Sequence, residues 1–199
     1  MKVKKGMLLG GFMCIVLGIV LYFTVKPEAK VETKALNDYE YCMVYYEKIR
    51  LLNKIVPDLE KEFTAEFGEP NLDSRKSLVK PSDVKTLRWE ITRGKKKLAQ
   101  LSFEYTKRKI TSKYIIFNDP TVYAEESIIE RANKMTLDEK VSEKVLENIG
   151  IPSFINTSKK SLFDDETTEY EYKVDKNSNR HLYFYLEDGK LFVEPQIGE

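Results

Sequence analysis

Histidine, cysteine and tryptophan are scarce in this chain, and their scarcity excludes several kinds of site. The 199 residues include one histidine, two cysteines and one tryptophan. Cys14 and Cys42 lie in segments of different type, so we expect no disulfide between them, and without neighbouring histidines they do not form a zinc site. Glycine-rich phosphate loops, zinc-protease motifs and calcium-binding loops are also missing. We therefore predict no cofactor, no metal site and no catalytic residues.

The chain also lacks a large excess of charge of either sign. Its 33 Lys and Arg residues face 32 Asp and Glu residues, which gives a formal net charge of +1. Residues 1–30 contribute five lysines and one glutamate, a balance of +4, so residues 31–199 carry a net charge of −3. Binding to nucleic acid depends on Lys and Arg that neutralise phosphates. The mildly acidic body therefore argues against a nucleic-acid partner.

One long apolar run occurs near the N-terminus. Residues 7–24 contain no charged side chain, and their number is at the lower end of what crosses a bilayer as a helix. No small-x-small cleavage site follows, and the residues before Cys14 fit a lipoprotein signal poorly. We expect a cytoplasmic tail at residues 1–6, an uncleaved transmembrane signal-anchor helix at residues 7–25 and a tether at residues 26–35.

The three lysines that precede this run favour a cytoplasmic N-terminus. The expected location is therefore the cell membrane, with a single pass and with the C-terminal body outside the cytoplasm. A cleaved signal peptide is the main alternative.

A pattern at residues 55–109 returns at residues 137–190. In the first copy, apolar residues four apart predict an amphipathic helix that leads into Gly68-Glu69-Pro70. The second copy has the same spacing ahead of Gly150-Ile151-Pro152. Two alternating strands follow in each copy. This order of elements favours an internal duplication over two unrelated amphipathic helices.

The repeat, with one further helix predicted in front of each copy, gives the expected fold. We predict an α+β fold in which an N-terminal transmembrane helix is followed by two tandem units, at residues 36–119 and 120–199. Each unit is expected to pack two helices on a three- to four-stranded antiparallel meander. The polar segments at residues 71–85 and 153–168 are predicted to be loops.

The strand predicted at residues 182–186 indicates a candidate binding surface. Its alternation directs Leu182, Phe184 and Leu186 to the helices, and Tyr183 and Tyr185 to the opposite sheet face. Because aromatic residues are enriched in the cores of interfaces, Tyr183, Tyr185 and Glu171 are our candidate binding residues. The alternatives are that this face packs on the first unit, or that the tyrosines form cross-strand pairs in water.

The element order resembles the module of SmpA/OmlA-type envelope lipoproteins and, in tandem, the β-lactamase-inhibitor protein. A second candidate is a PepSY-like ectodomain. The residues that carry the resemblance are Gly68, Pro70, Gly150, Pro152, Trp89, Tyr172 and Asp188-Gly189. Two features depart from it: the first copy lacks the Asp-Gly turn, and the lipobox is absent. The resemblance implies an extracytoplasmic binding module without catalysis, and it implies no particular partner.

These observations predict a membrane-anchored, non-catalytic protein-binding or scaffold module of the cell envelope. Its expected partners are another envelope protein and, through residues 7–25, the membrane. The alternative is a secreted inhibitor or an accessory subunit of an envelope enzyme. A hydrolase with two carboxylates in a deep pocket is the third possibility.

Overall fold

The structure of this chain is a computed structural model. It describes residues 37–52, 56–76, 83–107, 109–123, 130, 132, 134–137, 141, 149–177 and 179–198. All of these residues belong to one compact unit, Leu36–Glu199.

Two helices with defined bounds come first in the described chain, and nine strands follow them. The helices are α1 (Asp38–Lys48) and α2 (Val56–Phe67), and a 3₁₀ turn lies at Ser74–Lys76. The strands are β1 (Leu72–Asp73), β2 (Lys85–Arg93), β3 (Lys96–Thr106), β4 (Lys109–Phe117), β5 (Phe154–Ser158), β6 (Thr167–Lys173), β7 (His181–Glu187), β8 (Lys190–Leu191) and β9 (Gln196–Gly198). All nine form one antiparallel sheet in the order β1 to β8, and β9 pairs with β7.

Both helices begin or end where the local sequence favours it, and both pack on one sheet face. Asn37 caps α1 through a capping box, in which its side chain accepts from the Glu40 N–H at 2.8 Å. Gly68, with φ of +83°, follows the last residue of α2. Phe63 of α2 is fully buried, and its ring centroid lies 5.5 Å from that of Trp89 on β2. The apolar core therefore lies between the helices and the sheet.

The prediction of two tandem α+β units is wrong, because one sheet runs through both. The short strand β5 pairs with β4 on one side and with β6 on the other, with Ile155 opposite both Ile115 and Tyr170. Two separate meanders would each leave an edge of unpaired N–H and C=O groups. Here β5 pairs with both edges, in the segment at residues 153–168 that we predicted to be a loop.

The helix content also differs from the prediction. The structure gives bounds for two α-helices in the described chain rather than two in each of two units behind a membrane span. None of the helices in this part of the chain has the length and apolar character needed to cross a bilayer. The transmembrane segment predicted at residues 7–25 lies outside the described residues, as does most of the second predicted helix pair. The predicted domain boundaries and the duplication itself stay predictions.

Candidate functional site

Four aromatic rings form a continuous row on the sheet face opposite α1 and α2, which we call the distal face. The row comprises His181, Tyr183 and Tyr185 on β7 and Phe192 just after β8. Successive ring centroids lie 6.4, 6.4 and 6.3 Å apart. The planes of Tyr183 and Tyr185 differ by only 14°. The row exists because residues two apart on a strand point to the same face.

Alternation along β7 separates this row from the core. Leu182, Phe184 and Leu186 are buried in the core, whereas Tyr183 and Tyr185 are half-buried. Phe192 is 44% exposed at the end of the row. A row of large rings that are partly exposed to solvent offers both apolar contact area and hydroxyl groups, which is the combination found in protein interfaces.

Two carboxylates border the row on the neighbouring strand β6. Glu169 lies directly opposite Tyr185, and Glu171 lies directly opposite Tyr183. Glu171 accepts a hydrogen bond from the Ser153 hydroxyl at 3.1 Å, and its carboxylate lies in close contact with His181 Nδ1. In the described residues, no Lys, Arg or His nitrogen lies within 4.0 Å of the Glu169 carboxylate. The site therefore combines aromatic rings with two carboxylates, of which only Glu171 has a basic side chain within 4.0 Å among the described residues.

The surroundings of these groups shift several pKa values upward. Burial raises the pKa of Glu169; the neighbouring Tyr185 hydroxyl opposes this, and the charge of Glu171 adds to it. Burial likewise raises the pKa of Tyr183 and of Tyr185, and the nearby carboxylates contribute. Both tyrosines are thus neutral hydroxyl groups at physiological pH.

A shallow groove of about 450 Å³ adjoins the His181 end of the row. Its lining includes Ile116, Phe154, Glu171, Lys173 and His181. Glu171 is the one carboxylate of a described residue in that lining, so the groove lacks the two close carboxylates that a hydrolase of the glycosidase type needs. In the described part of the chain, no group of three or more metal-binding side chains is close enough to hold a metal ion.

The other half of the distal face has a different character. There Arg88 of β2 donates to the Tyr114 hydroxyl at 2.8 Å and to the Ser102 hydroxyl at 3.0 Å. Its guanidinium also lies 5.7 Å from the centre of the Tyr114 ring. Ser102 is fully buried. The aromatic row is therefore confined to the β6–β7 half of the sheet.

All three residues that the sequence singled out lie together on this half of the distal face. The sequence did not single out Glu169, His181 and Phe192 as parts of the same surface. Glu169 had a signal, since it is two residues from Glu171 on a strand and must share its face. His181 had the same signal, since it is two residues from Tyr183 on β7, whereas the position of Phe192 depends on strand pairing, which one segment alone does not reveal.

These features describe an α+β protein with helices on one face of an antiparallel sheet and a row of aromatic rings on the other. Its fold is similar to that of a crystal structure from Streptococcus mutans, provisionally described as a β-lactamase inhibitor protein. The TM-score is 0.50 at 17% sequence identity, and the match covers 79% of this chain and 95% of that one.

At this identity the likeness concerns the fold alone, and in that respect it agrees with the predicted resemblance to the β-lactamase-inhibitor protein. It does not extend to the SmpA/OmlA or PepSY resemblances. No protein-family model matches the sequence, and no curated protein matches it.

Proposed function

We propose that this chain is a non-catalytic binding module that attaches to another protein through the aromatic row and inhibits it. The observation that carries the proposal is the row of four rings on one face of a rigid sheet. Rings held on a sheet lose little conformational freedom on binding, so more of their contact energy remains as affinity. The protein of similar fold is provisionally described as a β-lactamase inhibitor protein, which makes β-lactamases the first partners to test.

The test is inhibition of purified β-lactamases by the full-length chain, followed through hydrolysis of a chromogenic substrate. We expect inhibition by the natural chain and its loss in a Tyr183→Ser/Tyr185→Glu variant. Interface aromatic residues of this kind typically carry enough energy to weaken binding by about thirtyfold or more when removed. The variant must keep the circular dichroism spectrum of the natural chain.

Phe163→Ser is the matched control, since Phe163 is 97% exposed and lies outside the row. Inhibition by the control but not by the double variant would support the aromatic row as the binding site. Loss in both would move the site to the β5–β6 loop. If no β-lactamase is inhibited, affinity capture with the same two variants decides whether the row binds any other protein. Equal capture by the double variant and the control would refute the proposal.

The predicted place of this module in the cell envelope stays a prediction. It depends on residues 7–25, which lie outside the described residues. The accessory-subunit alternative differs only in the effect on the partner, which the same assay would report as activation.

A further inference from the structure

Charges around the aromatic row are distributed unevenly. Residues 164–171 contain five carboxylate residues and no lysine or arginine. Two of them, Glu169 and Glu171, face the row. The other three precede β6 at the end of the row where Tyr185 lies. Negative charge therefore borders the row beside Tyr183 and Tyr185, whereas Lys173 lies opposite His181 at the other end.

The backbone fixes this acidic end against the turn between β7 and β8. The Glu166 N–H donates to Asp188 Oδ1 at 3.0 Å, and the Asp188 N–H donates to the Glu166 carbonyl at 2.8 Å. Asp188 and Gly189 both have positive φ, as a two-residue hairpin turn requires. These two hydrogen bonds keep Glu166 and Asp188, and therefore their negative charges, close together on neighbouring loops.

Glu169 is the carboxylate beside the row that a positive side chain of a partner would stabilise most. It is half-buried between Asn156 on β5 and Tyr185 on β7, both neutral. The Tyr185 hydroxyl stabilises the ionised carboxylate in part, and the one charge that affects its pKa belongs to Glu171, which has the same sign. A partly desolvated carboxylate without a counter-charge is unfavourable in the free protein. A cation placed beside it would remove that cost.

The neighbouring rings suit the same cation. The face of a tyrosine ring attracts an ammonium or guanidinium group within about 6 Å of its centre. Tyr185 lies directly across from Glu169, so one positive side chain at this point can interact with both. Anionic lipid surfaces and acidic proteins would instead be repelled by the five carboxylates.

We infer that the partner places a basic segment on the row, with a lysine or arginine side chain between Glu169 and the rings of Tyr183 and Tyr185. This inference rests on the proposed function and names the chemistry of the partner surface. On this inference, the acidic residues before β6 attract the basic segment electrostatically. Glu169 then binds the central positive side chain of that segment.

The test uses the full-length chain and three short synthetic peptides of equal length, rich in lysine and arginine, in glutamate, or in glutamine. Binding is followed through the NMR signals of the Tyr183 and Tyr185 rings. We expect the basic peptide to bind and to shift both signals, and the other two peptides to leave them unchanged at millimolar concentration. Glu169→Gln should weaken binding of the basic peptide by about tenfold.

Glu47→Gln is the matched control, since it changes the net charge equally on an exposed position of α1. Equal weakening of peptide binding by Glu47→Gln and Glu169→Gln would overturn the inference, because it would show that binding depends only on the net charge of the protein. No binding of the basic peptide, equal binding of the glutamine peptide, or binding to vesicles of anionic lipid would also overturn it. If the tyrosine double variant loses its protein partner while Glu169→Gln keeps full affinity, the proposed function stands and this inference fails.

Discussion

The hydroxyl of Tyr46 lies 2.7 Å from Oγ1 of Thr157, and both residues are buried. Tyr46 belongs to α1, and Thr157 belongs to β5, the strand between the two halves of the sheet. The Thr157 hydroxyl lies a further 3.1 Å from that of Thr168 on β6. A chain of hydroxyl groups thus joins the first described helix to the second half of the sheet.

We expect Tyr46→Phe and Thr157→Val each to lower the free energy of unfolding by about 1–2 kcal/mol, since each leaves a buried hydroxyl with fewer partners. The double variant should cost less than the two single variants together, by about 1 kcal/mol, because the shared hydrogen bond is lost only once. Urea unfolding of the four proteins measures this coupling. Strictly additive effects would show that the contact contributes nothing to the attachment of α1 to β5.

Local sequence patterns predict much of the fold, but they do not predict that the two halves of the sheet are joined. Alternation predicts β7 and the burial of Leu182 and Phe184, and Asp188-Gly189 predicts the turn that the chain makes. The strand β5 has only five residues, of which three are polar. Its stability comes from pairing with β4 and β6, which are distant in sequence, so its own composition carries little signal. The same dependence on pairing explains why His181 beside Glu171 was not predicted.

Gly68 and Gly150 occupy matching positions in the predicted repeat, but their surroundings differ. A Cβ atom at Gly150 would lie 1.6 Å from the Tyr123 hydroxyl oxygen, and φ there is +125°. Gly68 has φ of +83° and nothing within 4 Å of its Cβ position. We expect Gly68→Ala to cost about 1 kcal/mol from backbone strain alone. Gly150→Ala should cost about 3 kcal/mol or more, because strain and overlap combine.

Thermal unfolding of the two glycine variants provides the comparison. The natural chain and a Tyr123→Phe/Gly150→Ala variant complete the set. Removing the hydroxyl should recover only part of the loss, since the ring carbon behind it would still lie 2.7 Å from the new Cβ. Equal destabilisation at Gly68 and Gly150 would contradict the close approach of Tyr123.

Cys42 is expected to be unreactive while the chain is folded. Its thiol is 1% exposed, and burial raises its pKa from 9.0 to about 12. Because the folded-state pKa is the higher one, the neutral thiol favours folding fully below pH 9, and this contribution is lost as the pH rises towards 12. In a Cys14→Ser chain, a chromogenic disulfide reagent at neutral pH should label Cys42 only after denaturant is added. Rapid labelling of the folded chain would contradict its burial.

Glu169 should reduce the stability of the free protein at neutral pH. Burial raises its pKa above the ordinary value of 4.5, so the protonated form favours folding, fully below pH 4.5, and this contribution is lost as the pH rises through the folded-state pKa. We expect Glu169→Gln to unfold at the same urea concentration as the natural chain near pH 3.5 and at a higher one at pH 7. The gain should be a few tenths of a kcal/mol, since solvent screens a half-buried group. Lower stability of Glu169→Gln at pH 7 would show that the carboxylate is already stabilised within the free protein and has no need of a partner's cation.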